Sequence, residues 1–204
     1  MNIPQSYIQK IRQRSWRQYL KGLFIRLLFY MRSFFCRRWA IMKGAKIGEG
    51  TVLSWNIARM ASSNLVVGDD CIINARYLDL REKITIRDRV IINRDVEIIR
   101  VSHYIDDDHL FTTRPYPELI IEEYSWLSTG VKVLPQVTKI SRGTICGAYS
   151  VIVKNTEEMG VYGGNPAKLL KTHNTVFDEL IVCSLQGCDF PYYRKARSNN
   201  NNSI

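Results

Sequence analysis

Several features are scarce in this chain. There are three histidines, and only His103 and His109 lie close together. With Asp106 and Asp108 they offer suitable ligand types, but the spacing matches no zinc or calcium pattern, so no metal is expected. The five cysteines, Cys36, Cys71, Cys146, Cys183 and Cys188, include no CxxC pair. Their odd number argues against a closed disulfide framework and for a reducing compartment. The N-terminus lacks the pattern of a signal peptide, a short basic region followed by an unbroken apolar run and a small-residue cleavage site, so a cytoplasmic protein is expected. A membrane-crossing run is also missing: Leu20 to Cys36 falls short of the roughly 20 residues required and is broken by Lys21, Arg26 and Arg32. Acidic residues are in deficit, 19 against 29 Lys and Arg, for a net charge of +10. That balance favours nucleic acid, an anionic membrane surface or a phosphorylated ligand. No basic and aromatic pattern of a nucleic-acid-binding module accompanies it, so nucleic acid is not expected as the partner.

What is present is a chain of 204 residues, 46% hydrophobic, enough for one domain with additions. Residues 1–43 form a basic, apolar segment in which Leu20, Leu23, Phe24, Leu27, Leu28, Met31, Phe34 and Phe35 recur at three and four. This pattern predicts an amphipathic helix. With Lys21 and Arg32 off the apolar face, residues 1–40 suit peripheral contact with a membrane interface. A helix packed on its own domain or on an oligomer partner is the other reading.

From Val67 to Ile152 an aliphatic residue returns every sixth position, as in Ile86, Ile92 and Ile98, then Ile121, Leu127 and Val133, then Ile140, Cys146 and Ile152. This period fits neither a helix nor a simple strand. It predicts a parallel β-helix, a prism wound from short strands with one apolar side chain per repeat at the axis. The prism is expected over residues 44–171, beginning near Ile47, with Gly48 and Gly50 supplying tight corners. Its phase slips between Ser54 and Leu65, beside Asp79 and before Ile140. The repeat vanishes in a polar loop at 99–120, where chemistry is expected. Beyond Ile152 the repeat ends, Gly163 to Lys168 makes a turn, and residues 172–204 read as a C-terminal helix, from Thr175 to Leu185, capping the prism before a low-complexity tail.

The blocks Ile121-Glu-Glu-Tyr-Ser-Trp126, Val133-Leu-Pro135 with Val137-Thr138, Ile140-Ser-Arg-Gly143, Gly147-Ala-Tyr-Ser-Val151 and Gly164-Asn-Pro-Ala-Lys168 resemble the hexapeptide-repeat acyltransferases. The closest likeness is to the O-acetyltransferases of sugars and surface polysaccharides, near the maltose and galactoside acetyltransferase group. The resemblance covers about residues 45–171 and implies an all-β, left-handed parallel β-helix. It also implies a homotrimer with active sites between neighbouring prisms, acetyl-CoA as co-substrate and a sugar or lipid-linked glycan as acceptor. Leu78-Asp79, Ile84-Thr-Ile86 and Ser102-His103 match the family's approach to its catalytic histidine, which makes His103 the expected general base. The chemistry agrees, since a hydroxyl is a poor nucleophile until a positioned imidazole takes its proton.

By position, the resemblance also implies Thr129, Ala148, Lys154 and Lys168 as contacts for coenzyme A, with Trp126 shaping the groove. Lys154 and Lys168 also read as plain exposed lysines. Asn74 falls near a pocket asparagine of the family or is a corner residue. Asp79 either orients the acceptor or the histidine, or marks a local slip in register. Gln136, Lys139 and Tyr149 depart from the family pattern, and Tyr149 narrows the expected pantetheine groove. The alternatives are an N-acetyltransferase of an amino sugar and a non-catalytic, membrane-associated scaffold.

Overall fold

The computed structural model describes residues 3–103 and 113–198. Its body is a parallel β-solenoid with three faces. The first stacks β1 (Lys46–Ile47), β3 (Leu65–Val67), β6 (Ile84–Ile86), β11 (Leu119–Ile121) and β14 (Lys139–Ile140). The second stacks β2 (Val52–Leu53), β4 (Ile72–Ile73), β7 (Ile91–Ile92), β12 (Trp126–Leu127), β15 (Ile145–Cys146) and β17 (Gly160–Gly164). The third stacks β5 (Tyr77–Leu78), β8 (Glu97–Ile98), β13 (Lys132–Val133) and β16 (Val151–Ile152).

A strand and the corner after it together make one side, which is why the apolar period is six. The last residue of each short strand points to the axis, giving the aligned columns Val67, Ile86, Ile121, Ile140 and Leu78, Ile98, Val133, Ile152. All eight side chains are buried, each contributing about 1.5–3 kcal/mol of transfer free energy. At the first-to-second corner a left-handed residue precedes each strand, two positions before it at Gly50, Asp70, Arg89, Tyr124 and Gly143 and directly before it at Met159. Gly48 serves otherwise, since a Cβ there would lie 2.5 Å from the Gly68 carbonyl oxygen of the next turn.

The three slips in phase have distinct physical origins. Between Ser54 and Leu65 the third face of the first turn is replaced by α3 (Trp55–Met60), capped by Ser54, whose Oγ accepts from the Ile57 amide. Ile57 and Ala58 fill the axis there. Near Asp79 the inward position is taken by Leu78, so Asp79 begins the following corner and does not face the axis. Before Ile140 the corner is a residue longer, and Lys139 sits on β14, paired with Glu122 at 3.0 Å.

Past Ile152, β17 extends the second face with Tyr162 turned inward, and β18 (Ala167–Thr172) folds back antiparallel through the Gly-Asn-Pro-Ala turn. One expectation is corrected at the C-terminal end. The helix expected at Thr175–Leu185 is instead an extended stretch leading into a 3₁₀ helix at Val182–Gln186. After it comes α4 (Phe190–Ser198). This segment covers a side of the prism, not its end. The reason is the outward aliphatic row Val52, Ile72 and Ile91, which packs under Val182, Cys183 and Cys188. Arg89 fastens the segment by donating to the carbonyls of Phe177, Asp178 and Leu180 at 3.0, 2.6 and 2.9 Å.

The N-terminal segment forms two helices, α1 (Gln5–Arg12) and α2 (Trp16–Met42), separated by a Ser15–Gln18 capping box. The side of α2 turned to the protein is the narrow one: Gly22, Ser33, Cys36 and Ala40 are buried. Gly22 is required there, because a Cβ would lie 2.5 Å from the Tyr193 hydroxyl. Beneath it the fully buried Asp189 faces Arg26 at 2.9 Å and accepts from the Tyr7 hydroxyl, joining α1, α2 and α4. Asp189→Ala leaves Arg26 without its counter-charge and is expected to cost about 3 kcal/mol. Hydrogen exchange should then accelerate in α1, α4 and the first half of α2, while the solenoid strands keep their protection.

Candidate active site

The loop that interrupts the repeat leaves the solenoid at the third-to-first corner. Its base is a two-stranded ribbon, β9 (Val101–His103) against β10 (Thr113–Pro115), with His103 opposite Thr113. His103 is exposed at the last residue of β9. Asp106, Asp107, Asp108 and His109 lie outside the described residues.

What holds that ribbon is Arg100, which is fully buried. Its guanidinium donates to the carbonyls of Pro135 at 2.9 Å and Val137 at 2.5 Å, and to that of Pro117 just after the returning strand. Its amide donates to Asp79 Oδ2 at 3.1 Å. Arg81 closes on the same carboxylate with a two-pronged contact, 2.7 Å to each oxygen. Burial alone would raise the Asp79 pKa, but the Arg81 hydrogen bonds and charge and the Arg100 amide outweigh it and hold the carboxyl below the ordinary aspartate value. Both Asp79 oxygens are therefore engaged with protein. The Asp79 carboxylate anchors the backbone at Arg100, three residues before His103.

The remaining predicted residues line both edges of the third face. Asn74 sits at the second-to-third corner, where its amide donates to the Ile92 carbonyl at 2.9 Å. It also lines a cavity of about 460 Å³ together with Ser54, Arg94 and Gln186, and Phe29 and Arg32 from α2. Thr129 and Ala148 occupy the same corner two and three turns further on, with Trp126 beside them on the second face, 38% exposed. Tyr149 lies between them: its amide donates to the Thr129 carbonyl at 2.9 Å, and its ring rests on Gly130, where a Cβ would come within 2.4 Å. Lys154 follows β16 on the His103 edge, and Lys168 stands on β18; both are exposed. Within one protomer, then, His103 and Asp79 occupy one edge, and Asn74, Thr129 and Ala148 the other.

Sequence reasoning missed Arg100, Arg94 and Arg32. Arg100 had a signal: it stands two residues after the inward Ile98, so strand alternation turns it inside. Arg32 and Arg94 are brought to one cavity by the packing of α2 on the prism, which has no local trace. The third histidine, His173, has its ring nitrogens 2.8 and 2.9 Å from the carbonyls of Gly143 and Thr175. Burial pushes the thiols of Cys71, Cys146 and Cys183 up to about 12, so these cysteines are packing residues and not nucleophiles. Among the described residues no cluster of three or more His, Cys, Asp or Glu could hold a metal.

No protein-family model matches the chain. It is 32% identical over 147 residues to WcaF of Escherichia coli (strain K12), assigned as a colanic acid biosynthesis acetyltransferase, covering 71% of this chain and 76% of that protein. It is 30% identical over 111 residues to the acetyltransferase YJL218W of Saccharomyces cerevisiae, covering 53% and 56%. Among solved structures, a maltose O-acetyltransferase of Clostridium difficile aligns with TM-score 0.47 and 19% identity, over 72% of this chain and 89% of that one. The hexapeptide-repeat acetyltransferase VCA0836 of Vibrio cholerae, complexed with acetyl coenzyme A, aligns with TM-score 0.47 and 22% identity, over 65% and 62%. The identity shared with WcaF spans most of both chains, and this chain folds as a solenoid built from six-residue repeats: the chain belongs to the hexapeptide-repeat sugar acetyltransferases.

Proposed function

We propose that this protein transfers an acetyl group from acetyl-CoA to a hydroxyl of a sugar, in the assembly of a bacterial surface polysaccharide or glycolipid, with His103 as general base. The observation that carries the reading is the mounting of His103. It is exposed at the tip of a ribbon that leaves the prism at one corner, and the ribbon is fastened by Arg100 and Asp79. An imidazole so held can take the proton of an acceptor hydroxyl as the oxygen attacks. The family resemblance assigns His103 the same part, and the relation to WcaF supports a polysaccharide acceptor.

Acetyl-CoA supplies the acyl group when bound. The second-to-third corner suits a narrow thioester-bearing chain, because Thr129, Gly130, Gly147 and Ala148 are small and Trp126 forms a partly exposed wall. Tyr149 is the exception, and its ring on Gly130 sets the width of the groove. Lys154 and Lys168 are the cations for the coenzyme's phosphates. Because the base and Asn74 lie on opposite edges of the third face, a complete site draws one edge from each of two neighbours, which supports a homotrimer. Asn74, on a cavity with two arginines, contacts the acceptor, and Asp79 acts as a positioning residue through Arg100. The acceptor is a lipid-linked glycan reached at the inner face of the membrane, with residues 1–40 in peripheral contact.

A thiol-release assay with acetyl-CoA and a panel of free and lipid-linked sugars tests this. Release is expected only when a suitable acceptor is present, and the product should be an ester cleaved by mild base. A base-stable amide would identify an amino sugar as the acceptor instead. Absence of acetyl-CoA binding in calorimetry would overturn the catalytic reading in favour of a scaffold.

A further inference from the structure

Acetyl transfer leaves the outward side of α2 without a role. Leu20, Phe24, Leu27, Met31 and Phe35 recur along it at steps of three and four, each between 37% and 62% exposed. Trp16 and Met42 prolong the row at its two ends, 60% and 70% exposed. The helix has 27 residues, about 40 Å at 1.5 Å per residue, and the unbroken Leu20 to Phe35 row makes an apolar stripe about 24 Å long. A continuous stripe of this kind marks a docking surface, unlike the single exposed leucines of any soluble domain. The protein's own core does not use it, because α2 packs by its opposite side through Gly22, Ser33, Cys36 and Ala40.

Charge selects the partner. Residues 1–48 contain eleven Lys and Arg and not one Asp or Glu. Arg26 and Arg37 are turned inward to Asp189 and to the carbonyls of Ile47 and Gly48. Arg17, Lys21, Arg32 and Arg38 are exposed along the same helix. A two-fold contact with a second copy would set this positive segment against itself, whereas a surface of anionic head groups neutralises it while the Leu and Phe side chains enter the acyl boundary. No helix among the described residues is long and apolar enough to cross a membrane.

We propose that α2 lies in the plane of an anionic bilayer, with the Leu20 to Phe35 stripe buried among acyl chains, Lys21 and Arg32 at the head groups along its flank, and Arg17 and Arg38 reaching the head groups from its two ends. The inference rests on the membrane location given above and is independent of the acetyl-transfer chemistry. It also accounts for the position of the Asn74 cavity: Arg32 both flanks the stripe and lines that cavity, so the cavity opens at head-group level, where a lipid-linked acceptor presents its sugar.

The test is co-flotation of the full chain with vesicles of phosphatidylcholine alone and with added phosphatidylglycerol. Binding should be at least about tenfold tighter to the anionic vesicles and should weaken as salt is raised to about 0.5 M. Combining Phe24→Asp, Leu28→Asp and Phe35→Asp, all at exposed positions, should reduce binding by about tenfold or more, while thiol release with a water-soluble acceptor is retained. Equal binding to both vesicle types, or unchanged binding of the triple variant, would overturn the proposal. So would a triple variant that falls to a smaller oligomer with unchanged thermal unfolding, because the stripe would then cover a second copy. Failure to find any acceptor would leave the vesicle result intact, so the two readings fail separately.

Discussion

His103→Ala is expected to lower acetyl transfer about a thousandfold at saturating acceptor, the usual scale for removing a positioned general base, while unfolding temperature and oligomeric state stay as they were. The side chain is exposed at the end of a ribbon whose fastening is the work of Arg100 and Asp79, and truncating it leaves that fastening in place. The loss should appear in kcat more than in the KM for acetyl-CoA, since the coenzyme contacts proposed at Thr129, Ala148 and Lys168 are elsewhere. His109→Ala is the control and should change activity little. Thiol release with the two variants in parallel decides the matter: full activity of His103→Ala would remove it as the base.

Arg100→Leu is expected to have the largest effect on stability together with an effect on activity. The substitution removes the donors that serve the carbonyls of Pro135, Val137 and Pro117 and leaves them facing an apolar side chain inside the corner. Unsatisfied buried carbonyls and lost charge-assisted hydrogen bonds together cost about 3 kcal/mol, a fall of about 6–12 °C in Tm for a protein of this size. Arg100→Lys keeps the charge, but a single ammonium cannot reach both sides of the loop base as the planar guanidinium does, so it should recover only part of the loss. Because Arg100 also ties the two strands carrying the loop, kcat should fall in both variants even at temperatures where they remain folded. Variants that lost stability with unchanged kcat would show that the anchor does not position His103.

The same corner has a defined pH response. Asp79 has a folded-state pKa below its unfolded value, so its contribution to stability is fully present above the ordinary aspartate pKa of about 3.9 and is lost as pH falls through the lower folded value. Asp79→Asn should therefore be less stable at neutral pH and show a flatter acid limb in pH-dependent unfolding.

The parts of the molecule readable from sequence are those specified by local repetition. A six-residue apolar period can be satisfied only by a solenoid side, so the column of Val67, Ile86, Ile121 and Ile140 is written in the sequence itself. The break in the repeat marks the segment that carries His103, while the part proposed for that histidine comes from the family resemblance and not from the period. The C-terminal segment was misplaced as an end cap because the row that recruits it, Val52, Ile72 and Ile91, becomes continuous only after three turns are stacked.

By itself, then, the sequence determined the prism, the break that carries His103, and a basic N-terminal segment with an apolar stripe, because each is written in short-range spacing. Tertiary structure alone decided three other matters. It bound both Asp79 oxygens to Arg81 and Arg100, it gathered Arg32, Arg94 and Asn74 around one cavity, and it turned the narrow side of α2 inward and its stripe outward. The physical reason is common to all three. Which face of an element is buried, and which charges meet, depends on partners tens of residues away, and their approach is set by the stacking of turns and not by any residue's neighbours in the chain.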